Sequence, residues 1–398
     1  MEAYLTDWFS LFFRWFHVIT GIAWIGASFY FVWLDNSLEE PPQWKKDKGI
    51  KGDLWAIHGG GFYEVAKYRL GPEKMPEHLH WFKWEAYTTW LTGFVLLWIV
   101  YYLGADRYLI DATTLALSVP EAIGAGLGFL AAGFIIYEGL LRTPLRYNGL
   151  AFGIVLFIVL AVSSYVANLL FSARGAYIHV GALMGSIMAG NVLFGIMPAQ
   201  RGLVSAVEKG ESPDPALGEF AKLRSTHNNY LTLPVLFIMI SNHYPMVYAH
   251  EYGWALLVAI GGIAAFARHF FNLRHKGVNK PIILVIGAIL LAGVAAAIAP
   301  TKAPIKPADE SFTDTKAIAI FQSRCVTCHS ANPTDELFTA PPAGLTLDTL
   351  EQVESAGYAR IKGVVETGYM PLANRSGMTD EERAAIVGWL SEKGKKGQ

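Results

Sequence analysis

Cysteine and charge are both scarce in this chain of 398 residues. Only two cysteines are present, three positions apart, so a disulfide framework is excluded. Charged residues make up 16% of the sequence, against about 25% in ordinary soluble proteins, and the formal net charge of -1 suggests no affinity for nucleic acid. A basic stretch before a short apolar run is also missing at the N-terminus, so we expect no cleavable signal peptide.

Long apolar runs fill most of the first 300 residues instead. A membrane-spanning helix needs about 20 mainly apolar residues. Eight stretches meet this requirement: residues 8–34, 84–104, 120–141, 150–171, 176–197, 230–248, 254–271 and 281–299. The sixth stretch is interrupted by Asn242 and His243. The predicted fold is therefore all-α, with an eight-helix transmembrane bundle that lies in a lipid bilayer.

The distribution of Lys and Arg between the connections predicts the orientation of the spans. The odd-numbered connections, counted together with Arg268 near the end of the seventh stretch, contain 18 of these residues, whereas the even-numbered ones contain only Arg107 and Arg174. Because short cytoplasmic loops are enriched in Lys and Arg, the odd-numbered connections should be cytoplasmic. Both termini should then face the periplasm of a bacterial inner membrane.

The composition changes after the eighth span, which predicts a second domain. Residues 1–300 should form the membrane domain, in which residues 35–83 are an unusually long cytoplasmic loop. Residues 301–311 contain a semi-rigid linker rich in Ala and Pro. Residues 312–398 have the composition of a small soluble domain, which should be periplasmic.

The sequence Cys325-Val-Thr-Cys328-His329 is the C-x-x-C-H pattern of covalent haem attachment. The two thiols would form thioether bonds to haem c, and His329 would bind the iron. A thiol–disulfide redox pair and half of a zinc site are the alternatives. Zinc needs further Cys or His ligands, and His329 is the only histidine in this domain. Such haem attachment occurs outside the cytoplasm, which agrees with the loop charges.

A methionine downstream of the motif is the expected sixth ligand of the haem iron. Met370 precedes Pro371, and Met378 is the only other candidate. Class I cytochromes c have a similar order of a helix, the haem motif, a Met-Pro loop and a final helix. Thr379 and Glu382 form a capping box that should open this final helix. We therefore expect His329 and Met370 to be the metal ligands.

Histidines within the apolar segments are candidates for function, because ionisable groups in a membrane are costly. His17 and His179 lie in similar sequences, FHV and IHV, and each is followed by glycine-rich helix. The similarity suggests a parallel repeat of four plus four spans. Both histidines could bind the iron of a haem b. The alternative is that these histidines only form structural hydrogen bonds.

The long cytoplasmic loop combines histidine, glycine and aromatic residues. It contains the segment HGGGFY, which begins at His58, and the segment HLHWFKWE, which ends at Glu85. Three glycines would permit a ligand to approach the backbone, and the aromatic rings could stack on a flat heteroaromatic substrate. The alternative is an interfacial aromatic belt with a flexible hinge.

These segments resemble a known family. The segments RWFH at His17, IHGGGFY at His58 and HWFKWEAYTTW at Glu85 look like those of membrane-bound, cytochrome c-linked urate oxidases, and the resemblance covers the whole chain. It implies oxidation of urate to 5-hydroxyisourate without hydrogen peroxide. Electrons would pass to haem c and then to a soluble or membrane cytochrome or terminal oxidase. The first span is more weakly similar to small haem-binding membrane proteins, which supports haem b at His17.

We expect the urate site at the cytoplasmic face. His58 or Glu85 would act as the general base that urate oxidation needs. Four cationic side chains are candidates for holding the anion: Arg14, Lys67, Lys83 and Arg268. Electrons would then cross the bundle through haem bound by His17, with His179 as a counterpart near the outer face.

Three alternatives differ from this hypothesis. An outer site near His179 and His243 would need no relay but would require exported urate. The chain could instead be a haem-bearing electron-transfer subunit that carries electrons from quinol to a partner, without a substrate site. It could also be a transporter that a redox domain regulates. Reduction of the haem by urate would distinguish the enzyme from the last two.

Overall fold

The computed structural model of the protein describes residues 2–111, 114–299, 312–335, 341–371, 374 and 376–396. The linker predicted at residues 301–311 lies outside these residues. Helix makes up 71% of the structure and strand 5%. The chain divides into an N-terminal unit, Met1–Asn242 with Trp254–Val294, and a C-terminal unit, His243–Gly253 with Ala295–Gln398.

The N-terminal unit is built from long helices joined by short ones. They are α1 (Glu2–Ser37), α2 (Gln43–Lys46), α3 (Trp84–Leu97), α4 (Ala105–Tyr108), α5 (Val119–Leu141), α6 (Gly149–Leu170), α7 (Ala173–Gly190), α8 (Met197–Glu208), α9 (Pro215–Ser241), α11 (Gly253–His275) and α12 (Ile282–Ala297). The tetrapeptide helix α10 (Pro245–Tyr248) falls in the C-terminal unit. A 3-10 turn, Pro144–Tyr147, joins α5 to α6.

Five helical segments of the described chain are long and apolar enough to cross a membrane. They are Tyr4–Ser37, Val119–Leu141, Gly149–Leu170, Ala173–Glu208 and Gly253–His275. They overlap five of the eight predicted spans and fit a membrane protein. The other three predicted spans, residues 84–104, 230–248 and 281–299, stay predictions, because α3 and α12 are short and α9 carries many polar residues in its first half.

The helix that begins at Ala173 continues well beyond the predicted end of the fifth span. A π-helical turn, Asn191–Ile196, joins α7 directly to α8. Pro198 follows this turn and cannot donate to the carbonyl four residues before it, so a regular α-helix would be broken here. The wider turn lets the helix pass this position, and such turns often lie at functional sites.

Two strands in the long loop correct the all-α prediction. Strand β1 (Ile50–His58) pairs in antiparallel register with β2 (Gly61–Tyr68). Gly59 and Gly60 connect them with φ values of 58° and 82°, which a two-residue hairpin turn of this hand requires. The Gly59-Gly60 pair is therefore a tight turn and not the flexible hinge that the alternative interpretation assumed. The ammonium group of Lys45, in α2, pairs with the carboxylates of Asp53 and Glu64 and fixes α2 to the hairpin.

The helices of the C-terminal unit enclose a small apolar core. They are α13 (Asp314–Arg324), α14 (Leu350–Ala356), α15 (Tyr358–Glu366) and α16 (Asp380–Lys396). Phe321, Ile361 and Trp389 are buried between them. The capping box predicted at Thr379 and Glu382 is confirmed, since each residue's backbone N–H donates to the other's side chain, at 2.9 and 3.2 Å. The final helix thus begins where the sequence predicts.

Candidate functional site

The C-x-x-C-H segment follows α13 directly and holds its histidine in a defined orientation. Nδ1 of His329 lies 3.0 Å from the carbonyl oxygen of Leu345. A carbonyl can only accept, so Nδ1 must carry the proton and Nε2 keeps its lone pair. Histidines that bind metals commonly donate their other N–H in this way. His329 therefore fits the role of a haem-iron ligand.

The two cysteines fit haem attachment better than the alternatives. They are not joined by a disulfide. Burial, with a smaller effect of the neighbouring Cys328, raises the pKa of the Cys325 thiol to about 12. A thiol–disulfide redox pair needs the opposite, a lowered pKa and a reactive thiolate. No three Cys, His, Asp or Glu side chains within the described ranges are arranged to hold a metal ion, so the protein supplies no zinc cluster there.

The two candidate methionines have different surroundings. Met378 is only 3% exposed and belongs to the apolar core of the C-terminal unit. Met370 is half-buried outside that core, and its backbone is fixed by a bond from its N–H to Val364 and one from Arg383 to its carbonyl. The position of Met378 is thus explained by its packing in the core, without a role in binding iron. The Met370 side chain is not part of that core. This contrast favours Met370 as the sixth ligand.

An ion pair connects the haem motif to the final helix. The guanidinium group of Arg324, the residue before Cys325, donates twice to the Glu382 carboxylate at 3.0 Å. The Arg324 bond, together with the backbone N–H of Thr379, lowers the pKa of Glu382. The pair therefore couples the position of the motif to the start of α16.

The residues predicted to form the cytoplasmic site are only partly brought together. Lys83 and Glu85 lie at the start of α3, where the Lys83 ammonium is 5.8 Å from the ring centroid of Trp84. Glu85 has one carboxylate oxygen, Oε2, that is buried without a hydrogen-bond partner. His58 is exposed at the tip of the hairpin. In the part of the chain that the structure describes, no hydrogen bond or ion pair joins His58 to Lys83 or Glu85.

His17 has a ring nitrogen that could bind iron. Its Nδ1 lies 3.0 Å from the carbonyl oxygen of Thr89, in α3, and 3.1 Å from the hydroxyl oxygen of Thr92. Because the carbonyl can only accept, Nδ1 donates and Nε2 keeps its lone pair. The arrangement is the same as at His329. His17 therefore fits the ligand role that the sequence suggested.

His179 is enclosed much more completely. It is fully buried, its Nδ1 donates to the carbonyl of Gly175 at 2.8 Å, and its ring stacks on Phe171. Its Nε2 lies 3.3 Å from the hydroxyl oxygen of Tyr102, which can donate to it. Both ring nitrogens are thus engaged, and this geometry favours a structural role. Haem ligation by His179 and the four-plus-four repeat stay predictions.

A buried polar network lies where α5, α7 and α9 meet, and sequence reasoning missed it. The guanidinium group of Arg224 donates to both carboxylate oxygens of Glu138, at 2.6 and 2.9 Å, and to Oδ1 of Asn191 at 3.2 Å. The hydroxyl of Tyr137 also donates to this oxygen, at 3.0 Å. Since Tyr137 has a single proton, Nδ1 of His227, 2.8 Å away, must donate to the tyrosine oxygen. The network therefore fixes the direction of the Tyr137 hydrogen bond and places a proton on Nδ1 of His227.

The π-helical turn makes room for this network. Gly195 lies in the turn, and an added Cβ would overlap the Cδ atom of Arg224. A glycine is required at position 195, because the Arg224 side chain approaches the backbone of the turn too closely for any other residue. One signal could have found the network, because Glu138 is an acidic residue within a predicted span, and such residues usually have a partner.

A second buried arginine lies between α9 and α11. Nε of Arg268 donates to Oδ1 of Asn229 at 3.1 Å, and its guanidinium carbon lies 4.0 Å from the ring centroid of Phe29, in α1. In the neighbouring positions, the hydroxyl oxygen of Tyr230 lies 2.7 Å from Nδ1 of His269. Polar groups from two helices, α9 and α11, thus converge beside the Phe29 ring of a third helix, α1, inside the N-terminal unit.

A cavity of about 320 Å³ lies between the long loop and the α8–α9 turn. It is lined by residues 70–73, Val207 and residues 210–213. Glu73 and Glu211 are its charged residues, which disfavours an anionic ligand. The cavity nevertheless places the first loop and the connection after the fifth predicted span at the same end of the unit.

Comparison with known proteins provides the identification. The sequence matches the family described as urate oxidase N-terminal over residues 3–299. Comparisons with curated proteins and with solved structures give no match. The matched range covers the N-terminal unit and all eight predicted spans, which is well over half of the chain. The chain therefore belongs to the urate oxidase N-terminal family and is a urate-related oxidoreductase.

Proposed function

We propose that the protein oxidises urate to 5-hydroxyisourate and passes the electrons to haem c in its own C-terminal unit. Urate and one water molecule give 5-hydroxyisourate, two protons and two electrons. Because haem c would take the electrons, oxygen would not be the oxidant and hydrogen peroxide would not be formed. A soluble or membrane cytochrome or terminal oxidase would take the electrons. One observation carries the proposal: a urate oxidase family match at residues 3–299 is followed in the same chain by a C-x-x-C-H motif.

Residues of the C-terminal unit would hold the haem. Cys325 and Cys328 would attach it, and His329 and Met370 would bind its iron. When bound, haem c supplies a one-electron acceptor, so each urate needs two successive transfers. The hydrogen bond from His329 to Leu345 holds the ring so that Nε2 can be directed at the metal.

Acid–base chemistry at the substrate would come from the N-terminal unit. Removal of a proton from urate requires a base, and Glu85 has a buried carboxylate oxygen that no protein group occupies. His58 and Lys83 are further candidates, but His58 is exposed at the hairpin tip. We therefore assign the base to Glu85.

The proposed topology places both termini in the periplasm and the long loop in the cytoplasm. Residues 70–73 and 210–213, both predicted to be cytoplasmic, line a single cavity. An active phosphatase fusion after Gln398 is expected, and an inactive one would contradict the orientation.

Urate-driven reduction of the haem in the purified full-length protein tests the function. We expect the reduced cytochrome spectrum on anaerobic addition of urate, with no hydrogen peroxide formed in air. The Cys325→Ser, Cys328→Ser double variant should lose covalently bound haem on a denaturing gel. A haem that dithionite reduces and urate does not would instead identify an electron-transfer subunit.

Two ligand variants refine the assignment. Met370→Ala should lower the haem potential, because loss of the thioether favours the oxidised iron, whereas Met378→Ala should mainly destabilise the core. A pyridine haemochrome assay on His17→Ala tests for haem b. Equal haem content in His17→Ala and the wild type would exclude His17 as a ligand.

A further inference from the structure

Two arginines are buried to the same extent in the N-terminal unit but have different partners. Arg224 and Arg268 are each 4% exposed. Arg224 is neutralised by the carboxylate of Glu138. Arg268 has no carboxylate partner among the residues that the structure describes, and its contacts are Asn229 and the ring of Phe29. A buried charge without a counterion is strongly unfavourable, so Arg268 needs an anion from elsewhere.

Two hydrogen-bond donors beside each other remain unused at this position. Nη2 of Arg268 and Nδ2 of Asn229 are both buried and have no partner. The amide orientation of Asn229 is not arbitrary, because a guanidinium group can only donate and Oδ1 must therefore face Nε of Arg268. The NH₂ group of Asn229 is consequently a true donor. Both free donors belong to residues that are only 4% exposed.

We infer that Arg268 and Asn229 form the binding site for the oxygen of a planar purine anion, which is urate if the proposed function holds. A guanidinium group and an adjacent amide can donate to one anionic oxygen from two directions. The Phe29 ring, 4.0 Å from the guanidinium carbon, supplies an apolar face beside these donors. Beside this site, the Tyr230 hydroxyl and Nδ1 of His269 are hydrogen-bonded to each other at 2.7 Å.

The position of Arg268 gives the anion a route from the predicted cytoplasmic face. Arg268 lies seven residues before the end of α11, which corresponds to about 10 Å along the helix. Arg274, Lys276 and Lys280 follow at that end and are exposed. Positive charge around such a site raises the local concentration of an anion. In the predicted topology the first turn of α3, which contains Glu85, lies at the same face.

Equilibrium dialysis of radiolabelled urate with the purified full-length protein tests the inference. Asn229→Asp is the informative variant, because its carboxylate would neutralise Arg268 and repel urate while it preserves the shape of the site. We expect the dissociation constant to rise about 30-fold or more, as when a buried charged partner is lost. Thermal stability should be equal to or higher than that of the wild type, since a buried ion pair is completed. Arg268→Gln should weaken binding similarly.

The control is Arg274→Gln, which removes an exposed charge from the same helix. It should change the dissociation constant by roughly threefold or less, because exposed charges are screened. Asn229→Asp with wild-type affinity would overturn the inference. Displacement of urate by an equal concentration of sulfate would also overturn it, because the site would then accept any small anion.

Haem reduction, measured on the same samples, separates this inference from the proposed function. Wild-type protein that binds urate but does not reduce its haem would contradict the proposed function alone. Wild-type reduction that Asn229→Asp retains with an unchanged KM would contradict the binding site alone. A wild-type protein that binds no urate would overturn both.

Discussion

Replacement of Glu138 by glutamine should destabilise the N-terminal unit by leaving Arg224 buried without its counterion. The two side chains join α5 to α9 through bonds of 2.6 and 2.9 Å. The Arg224 side chain is 5% exposed and that of Glu138 is 18% exposed. Glutamine has nearly the same volume as glutamate, so the substitution removes charge and leaves the packing unchanged.

The magnitude follows from the burial of the pair. Removal of one partner from a buried ion pair costs about 3–5 kcal/mol. Because water reaches part of Glu138, we expect the lower end, about 3 kcal/mol. At about 2 °C for each kcal/mol in a domain of this size, the apparent Tm should fall by roughly 6 °C. The measurement is the loss of folded, detergent-solubilised protein on heating, compared with the wild type at one scan rate.

Two further variants show whether the effect comes from the buried charge. Glu40→Gln breaks an exposed pair with Lys46 and should leave the apparent Tm unchanged. The double variant Arg224→Met, Glu138→Leu removes both charges and should be more stable than Glu138→Gln, because no uncompensated charge remains. An unchanged apparent Tm for Glu138→Gln, or a double variant that is less stable still, would refute the reasoning.

Two other predictions concern stability. In Gly195→Ala the new methyl group must displace Arg224, so the apparent Tm should fall by an amount that corresponds to about 1–3 kcal/mol. The matched control is Gly124→Ala, where the added Cβ has no atom within 4 Å. Equal stability of the two variants would contradict the proposed packing. The bond from Arg324 lowers the pKa of Glu382 from its ordinary value of 4.5, so the pair stabilises the C-terminal unit above pH 4.5 and this contribution disappears as the pH falls through the lowered pKa. Unfolding followed by haem absorbance should therefore be less acid-sensitive below pH 4.5 in Glu382→Gln than in the wild type, and identical pH profiles would exclude the pair as the cause.

The features that could be predicted from the sequence are those set by local composition and capping. Apolar runs predicted the five long helices, because about 20 apolar residues suffice to define a span. Thr379 and Glu382 predicted the start of α16 because a capping box involves only four consecutive residues. The β-hairpin was missed although a Gly-Gly pair is a known hairpin signal. Its strands lack a regular apolar alternation, and the pairing of Lys45 with Asp53 and Glu64 that anchors it is tertiary.

The candidate site could be predicted only where its chemistry is contained in a short motif. Cys325, Cys328 and His329 are adjacent in sequence, so their role follows from spacing. The Arg224 network instead depends on residues that are 86 positions apart, Arg224 and Glu138. The sequence predicts Arg224 in a cytoplasmic connection, so only Glu138, an acidic residue within a predicted span, indicates that a buried pair exists.

The two buried arginines show that the groups around a buried cation determine whether it stabilises the fold or can bind an anion. In sequence, Arg224 and Arg268 look alike, because each is a cation at the edge of an apolar segment. Folding brings a carboxylate to Arg224, and the resulting pair contributes to stability. Among the residues that the structure describes, it brings only an amide and an aromatic ring to Arg268, and no carboxylate of these residues compensates its charge. A cation that the fold buries without balancing is positioned to bind an anionic substrate, and the family supplies urate as the anion to test first.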